Sequence, residues 1–184
     1  MKFLLAQINP VVGDLEGNAK KILYIASKAS STSTDLVLTP ELSLWGYPAN
    51  DLLLKKSLIK NHYRILDQLA LDIHKKYCNL SITVGIAEII NDSFFPNLYN
   101  SIALLEHGEW KIIARKIILP TYEVFDEKRY FRSGEKVSVL KKEINNKTFR
   151  IGFTICEDLW VNNNIEGRGM HKKNHIFDLK QKKS

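Results

Sequence analysis

The sequence predicts an α/β layered fold with a mixed sheet. Short apolar runs rich in β-branched residues alternate with segments whose apolar residues recur at helical spacing. Further along, pairs of strand-like runs meet at tight-turn residues, as antiparallel hairpins do. At 184 residues and 45% hydrophobic residues, the chain is about one domain long and can support a core.

The elements follow in order. KFLLAQINP reads as a first strand ended by Pro10, and VVGD as a turn. Asp14 is placed to cap a helix whose Ala19, Ile22, Leu23, Ala26 and Ala29 recur on one face. DLVLTP is a short buried strand stopped by Pro40. A longer helix is predicted from about Leu58 to Tyr77, with Ile65, Leu66, Leu69 and Ile73 sharing a face. LSITVGIAEI is the third strand. NSIALLEHGEWKIIARK reads as a hairpin around His107-Gly108-Glu109, and VSVLKKEINNKTFRIGFTIC as another around Asn145-Asn146. No repeat, low-complexity stretch or linker interrupts this order, which implies layered α/β architecture.

Charge and cysteine usage narrow the function class. The net charge is +7, but residues 161–184 hold six Lys/Arg against two acids, so they carry +4 of it. The body is mildly basic and lacks the basic stripe with interleaved aromatics that a nucleic-acid surface needs. The basic tail reads as a solvated helix face. Cys78 and Cys156 lie far apart, with no metal-type spacing and no disulfide framework. MKFLLAQINP passes directly into a strand pattern, so no signal peptide is predicted. No apolar run approaches the roughly 20 residues of a membrane span. The expected setting is cytoplasmic and reducing.

Three residues follow apolar strands, where open α/β sheets assemble their sites. Glu41 comes directly after Pro40 among apolar neighbours. A carboxylate held there suits a general base, although alone it also reads as a surface loop residue. Lys116 precedes the apolar IIL run; alone it reads as a solvated charge. Cys156 ends the apolar Ile151–Ile155 stretch, and alone it reads as a small core residue. The acids Glu157 and Asp158 beside it oppose thiolate formation. Successive side chains on a strand or sharp turn point different ways, so these acids need not face the sulfur. Together the three residues make a chemical set: Lys116 offsets the local acids, and Glu41 takes the thiol proton. One pK unit of thiolate stabilisation corresponds to about 1.4 kcal/mol, within reach of one partly buried ammonium.

This Glu-Lys-Cys order resembles the carbon–nitrogen hydrolase (nitrilase) superfamily. LAQINPVVGDLEGNAKKI, LTPELSLWGYPANDLLL, NSIALLEHGEWKIIARKIILPTYEVFDEKRYF and GFTICEDLW are more closely similar to the amino-terminal glutaminase domain of glutamine-dependent NAD⁺ synthetases. These stretches span nearly the whole chain from Lys2 to about Trp160. LPTYEVFDEKRYF and CEDLW are the synthetase-linked features; the three-residue order alone marks only the superfamily.

The resemblance implies a nitrilase-type α-β-β-α sandwich, four-layered in the complete domain, with mixed sheets. It implies hydrolysis of the glutamine side-chain amide through a Cys156 thioester, with Glu41 as base. Lys116 and the backbone N–H of Glu157 would stabilise the oxyanion. Tyr122, Phe125, Glu127 and Glu157 match the glutamine pocket: carboxylates suit an ammonium, aromatic walls an aliphatic stem. Packing is an equal reading for Tyr122 and Phe125, and a salt bridge to Lys128 or Arg129 for Glu127. Glu123 is given no role, and Cys78 is expected to be inert. No metal and no cofactor is expected in this segment. ATP and Mg²⁺ belong to the synthetase domain, the implied partner, where ammonia meets adenylylated nicotinic acid adenine dinucleotide. Members assemble as homo-oligomers, and neither nucleic acid nor membrane is an expected partner.

Residues 1–184 are therefore expected to form an incomplete hydrolase domain, with the remaining strands and the synthetase domain absent. VNNNIEGRGMHKKNHIFDLKQKKS fits a loop and helix, and no phosphate loop occurs anywhere. Unpaired sheet edges would make such a chain poorly stable or aggregation-prone. A sharp, reversible thermal transition would contradict that. Two alternatives stay open: a free-standing amidase of the superfamily, and an inactive remnant that keeps the front half of the fold.

Overall fold

The computed structural model describes residues 1–90 and 94–159. A five-stranded sheet has the order β1-β2-β3-β4-β5, from Phe3–Leu5, Leu36–Leu38, Ile82–Ile89, Leu98–Glu106 and Glu109–Arg115. β1 pairs parallel with β2, and β2 parallel with β3. Helices α1, Leu15–Ser30, and α2, Lys56–Lys76, supply the long crossovers that parallel strands require. A separate two-stranded sheet pairs β6, Ser138–Ile144, with β7, Lys147–Phe153. The mixed α/β expectation holds.

The residues divide into two compact units. The first comprises Met1–Ala87 and Ser101–Ile112. In it Asp14 caps α1 as expected, its carboxylate accepting from Gly17 N at 2.9 Å. Ile22, Ala26 and Ala29 of α1 are buried, as are Ile65, Leu66, Leu69 and Ile73 of α2. The two helices pack against each other. β3 is buried from Ile82 to Ala87, as a central strand covered on both faces must be. β1 is shorter than its apolar run: its register with β2 covers only Phe3 to Leu5, because β2 itself ends at Leu38.

The second unit comprises Glu88–Asn100 and the described residues from Ile113 onward. Ile118, Leu119, Tyr130, Phe131, Val137 and Ile155 are buried in it. Leu98 bridges Phe131 in parallel, and Arg132 donates to Pro96 O at 2.7 Å and to Phe94 O. Both hairpins turn where expected. His107 and Gly108, and Asn145 and Asn146, have positive φ, as two-residue turns matched to strand twist demand. The basic residues 161–184 and their predicted loop and helix lie outside the described residues, as does Trp160.

Candidate active site

Glu41 opens the turn that follows β2 in the first unit. It is half-buried, while Leu42, Ser43, Leu44 and Trp45 behind it are buried. Leu42 takes φ +45°, and its carbonyl accepts from Trp45 N and Gly46 N, both at 2.8 Å. Hydroxyls pin this turn to β3. Thr39 Oγ1 donates to Thr83 O at 2.9 Å, which leaves Ser43 Oγ as the donor across the 2.6 Å Thr39–Ser43 contact. Ser43 Oγ in turn accepts from Gly85 N at 2.9 Å, and Leu44 N donates to Gly85 O at 3.1 Å. Gly85 is required by this approach: a Cβ there would lie 2.4 Å from Leu42 N and 2.7 Å from Pro40 O. Buried Asn18 ties α1 to the same turn, with Nδ2 donating to Leu44 O at 3.1 Å and to Val11 O at 2.7 Å.

The other predicted residues belong to the second unit. Lys116 directly follows β5. Its N donates to Asn100 O at 2.8 Å, and its carbonyl accepts from Gly134 N at 2.7 Å. Its side chain is fully buried, and Nζ meets Glu127 Oε1 at 2.8 Å, with Glu127 only 5% exposed. Glu127 thus has an ion-pair partner in Lys116, which the local reading of a salt bridge to Lys128 or Arg129 did not name. A buried pair of this kind is a specific arrangement, since either charge alone would carry a heavy desolvation cost.

Cys156 lies beyond β7 and opens a short 3-10 turn, Cys156–Leu159. It is exposed at φ +45°, whereas Glu157 and Asp158 are buried. The two acids are thus buried while the cysteine between them and β7 is exposed. Glu157 receives the Tyr122 hydroxyl at 3.1 and 3.2 Å. Tyr122 and Phe125 meet edge to face, ring centroids 5.4 Å apart. Asp158 accepts from Ile117 N at 3.0 Å and Ile118 N at 2.7 Å through Oδ1, and from Ile155 N at 3.2 Å through Oδ2. Burial pushes the Asp158 carboxyl above its ordinary value; those three N–H groups and the Lys116 charge pull against the rise.

The structure thus brings Lys116 and Glu127 together, and Tyr122, Phe125 and Glu157 together; Glu41 stands in the first unit. Sequence reasoning missed the Lys116–Glu127 pair, the Asp158 contacts and the Thr39–Ser43–Gly85 connection. No periodicity announces them; the one available signal was that a charge between apolar runs needs a partner. Cys78 is exposed beyond α2. Among the described residues no group of three or more His, Cys, Asp or Glu could hold a metal ion. No described helix is long and apolar enough to cross a membrane.

The glutamine-dependent NAD(+) synthetase of Thermotoga maritima is 40% identical over 178 residues, covering 93% of this chain and 29% of that protein. The Synechocystis enzyme of the same name is 39% identical, covering 95% and 31%. The chain therefore spans under a third of the length of these relatives. The solved structure of the Acinetobacter baumannii glutamine-dependent NAD+ synthetase superposes with a TM-score of 0.72 at 34% identity, over 86% of this chain and 28% of that one. An amidase from Nesterenkonia sp. shares the fold, with a TM-score of 0.66 at 23% identity, over 86% and 56%. The carbon-nitrogen hydrolase family matches residues 5–166, nearly the whole described chain, and the protein belongs to that family.

Proposed function

We propose that this chain is the glutaminase part of a glutamine-dependent NAD⁺ synthetase. In this reading it releases ammonia from glutamine for amidation of nicotinic acid adenine dinucleotide. The observation that carries the reading is the exposed, positive-φ Cys156, set on a turn with its neighbouring acids buried, in the same unit as the Lys116–Glu127 pair. The names of the relatives point the same way.

In the proposed mechanism Glu41 accepts the Cys156 proton as Sγ bonds to the glutamine amide carbon. The oxyanion is met by Lys116 Nζ and the Glu157 backbone N–H. Glu127, 2.8 Å from Lys116, holds that ammonium in place and enters the pocket through it. Glu41 passes its proton to the amide nitrogen, the C–N bond breaks, and ammonia leaves behind a thioester. Water then attacks the thioester carbon as Glu41 takes its proton. The S–C bond breaks, glutamate departs, and the thiol regains the proton. Tyr122 and Phe125 flank the aliphatic stem, and Glu157, oriented by Tyr122, receives the substrate ammonium.

On this reading the chain is one domain of a larger working unit. ATP and Mg²⁺ act at a synthetase domain rather than here. The protein works in the cytoplasm, assembles as a homo-oligomer, and takes neither nucleic acid nor membrane as partner.

The test is ammonia release from glutamine by the native protein and by Cys156→Ala, together with mass spectrometry after treatment with a diazoketone analogue of glutamine. Native release, none from the variant, and a single adduct on Cys156 are expected. Equal release from both proteins would remove the catalytic assignment.

A further inference from the structure

One buried carboxylate joins the two backbone segments that carry the reactive groups of the second unit. Asp158 is 4% exposed, and both its oxygens are engaged by main-chain N–H groups. Oδ1 takes Ile117 N and Ile118 N, the two residues directly after Lys116. Oδ2 takes Ile155 N, the residue directly before Cys156. The Asp158 N–H returns to Ile155 O at 3.1 Å, so the turn is closed on both sides of the nucleophile. The Lys116 side is anchored further by Ser133, whose hydroxyl donates to Ile117 O at 2.5 Å.

A carboxylate is an expensive way to fill buried space, since removing it from water is costly unless its oxygens are hydrogen-bonded. Charged acceptors make the stronger hydrogen bonds to N–H groups, and two oxygens fix the angle between the segments they hold. What this acid does that an apolar residue of equal size could not is hold Ile155 in register with Ile117 and Ile118. We propose that Asp158 is a positioning residue of the hydrolytic site, clamping the strand end that carries Lys116 to the turn that presents Cys156. The proposal rests on the reading of Cys156 as nucleophile and Lys116 as its cationic partner.

Asp158→Asn is the discriminating variant. Its carbonyl oxygen still serves Ile117 and Ile118, but its NH₂ faces the Ile155 N–H, donor against donor. The two explanations of its effect have opposite signs. Removing a negative charge close to Cys156 favours the thiolate, so electrostatics alone would speed alkylation by iodoacetamide. Loosening the clamp lowers the fraction of turns in reactive geometry and slows it. We expect alkylation of Cys156 at neutral pH to slow about 5-fold or more, and kcat to fall about 10- to 100-fold with KM nearly unchanged. Both rates are taken per folded molecule, the folded fraction being read from circular dichroism.

Alkylation as fast as or faster than native in the folded variant overturns the clamp, as does an unchanged kcat. If the variant does not fold, hydrogen exchange in the native protein decides. The Ile117, Ile118 and Ile155 amides should exchange slowly and at a common rate, and rapid exchange at Ile155 alone overturns the proposal. Alkylation and exchange need no glutamine. A native protein that releases no ammonia therefore defeats the glutaminase reading while the clamp is still judged by these two measurements.

Discussion

At Cys156 the backbone sits at φ +45°, a region in which any residue with a Cβ is strained by roughly 1–2 kcal/mol relative to glycine. This conformation begins the turn in which Cys156 is exposed while Glu157 and Asp158 are buried. Cys156→Gly should therefore be more stable than Cys156→Ala by about 1 kcal/mol, although both lack the nucleophile. Urea unfolding of the two variants checks this, and a more stable alanine variant would show that the conformation is not strained. The Lys116–Glu127 pair makes a second residue-scale prediction. Glu127→Leu leaves an ammonium buried without its carboxylate and should cost about 3–5 kcal/mol. The double variant Lys116→Met with Glu127→Leu should cost less than that single change, because the buried ammonium that lost its Glu127 partner is removed with it. A double-mutant cycle by denaturation reads the difference.

The turn between β2 and α2 shows how an element positions a side chain it does not contain. Thr39, Ser43 and Gly85 lock the Glu41 turn to β3 through two hydroxyls and a close backbone approach. Gly85→Ala forces a Cβ to within 2.4 Å of Leu42 N, a backbone atom that cannot swing aside as a side-chain end would. It should destabilise by about 1–3 kcal/mol and lower ammonia release per folded molecule. Ser43→Ala deprives Gly85 N of its acceptor and should cost a similar 1–3 kcal/mol or so, with Ser43→Thr restoring part of the loss. Calorimetry beside the activity assay tests both. The hairpins at His107-Gly108 and Asn145-Asn146 were legible beforehand because a two-residue turn is chosen by its own residues. The helices were legible because burial of one face repeats at helical period. The extent of β1 was not, because it depends on how much of β2 is there to pair with.

For the whole molecule, the buried histidine of α2 ties stability to pH. His62 is enclosed between Trp45, ring centroids 5.5 Å apart, and Tyr63 at 4.7 Å, and neither ring nitrogen has a hydrogen-bond partner among the described residues. Burial lowers its pKa from 6.5 to about 3. The unfolded chain therefore binds a proton below 6.5 that the folded chain refuses. Stability from this group is full above pH 6.5 and falls as pH drops toward 3. The steepest slope is about 1.4 kcal/mol per pH unit. Asp158 acts in the opposite sense: its raised carboxyl holds a proton better folded than unfolded, so its contribution declines as pH rises above 3.8. Comparing unfolding free energies of native protein and His62→Leu across pH 4 to 7 isolates the histidine. The variant should lose the acid-side decline, and an unchanged slope would mean that His62 is not held neutral.

The amino-acid sequence by itself determined the kinds of element, their order and the chemical groups on offer: an acid after one strand, an ammonium after another, a thiol after a third. These are local facts, written in periodicity, turn residues and side-chain type. Only the tertiary structure decided that Glu127 meets Lys116, that Tyr122 holds Glu157, and that one Asp158 carboxylate spans backbone 40 and 41 residues away. The physical reason is that a buried charge is satisfied by whatever donor or acceptor folding delivers to it. That partner is selected by proximity in space, and distance along the chain carries no record of it.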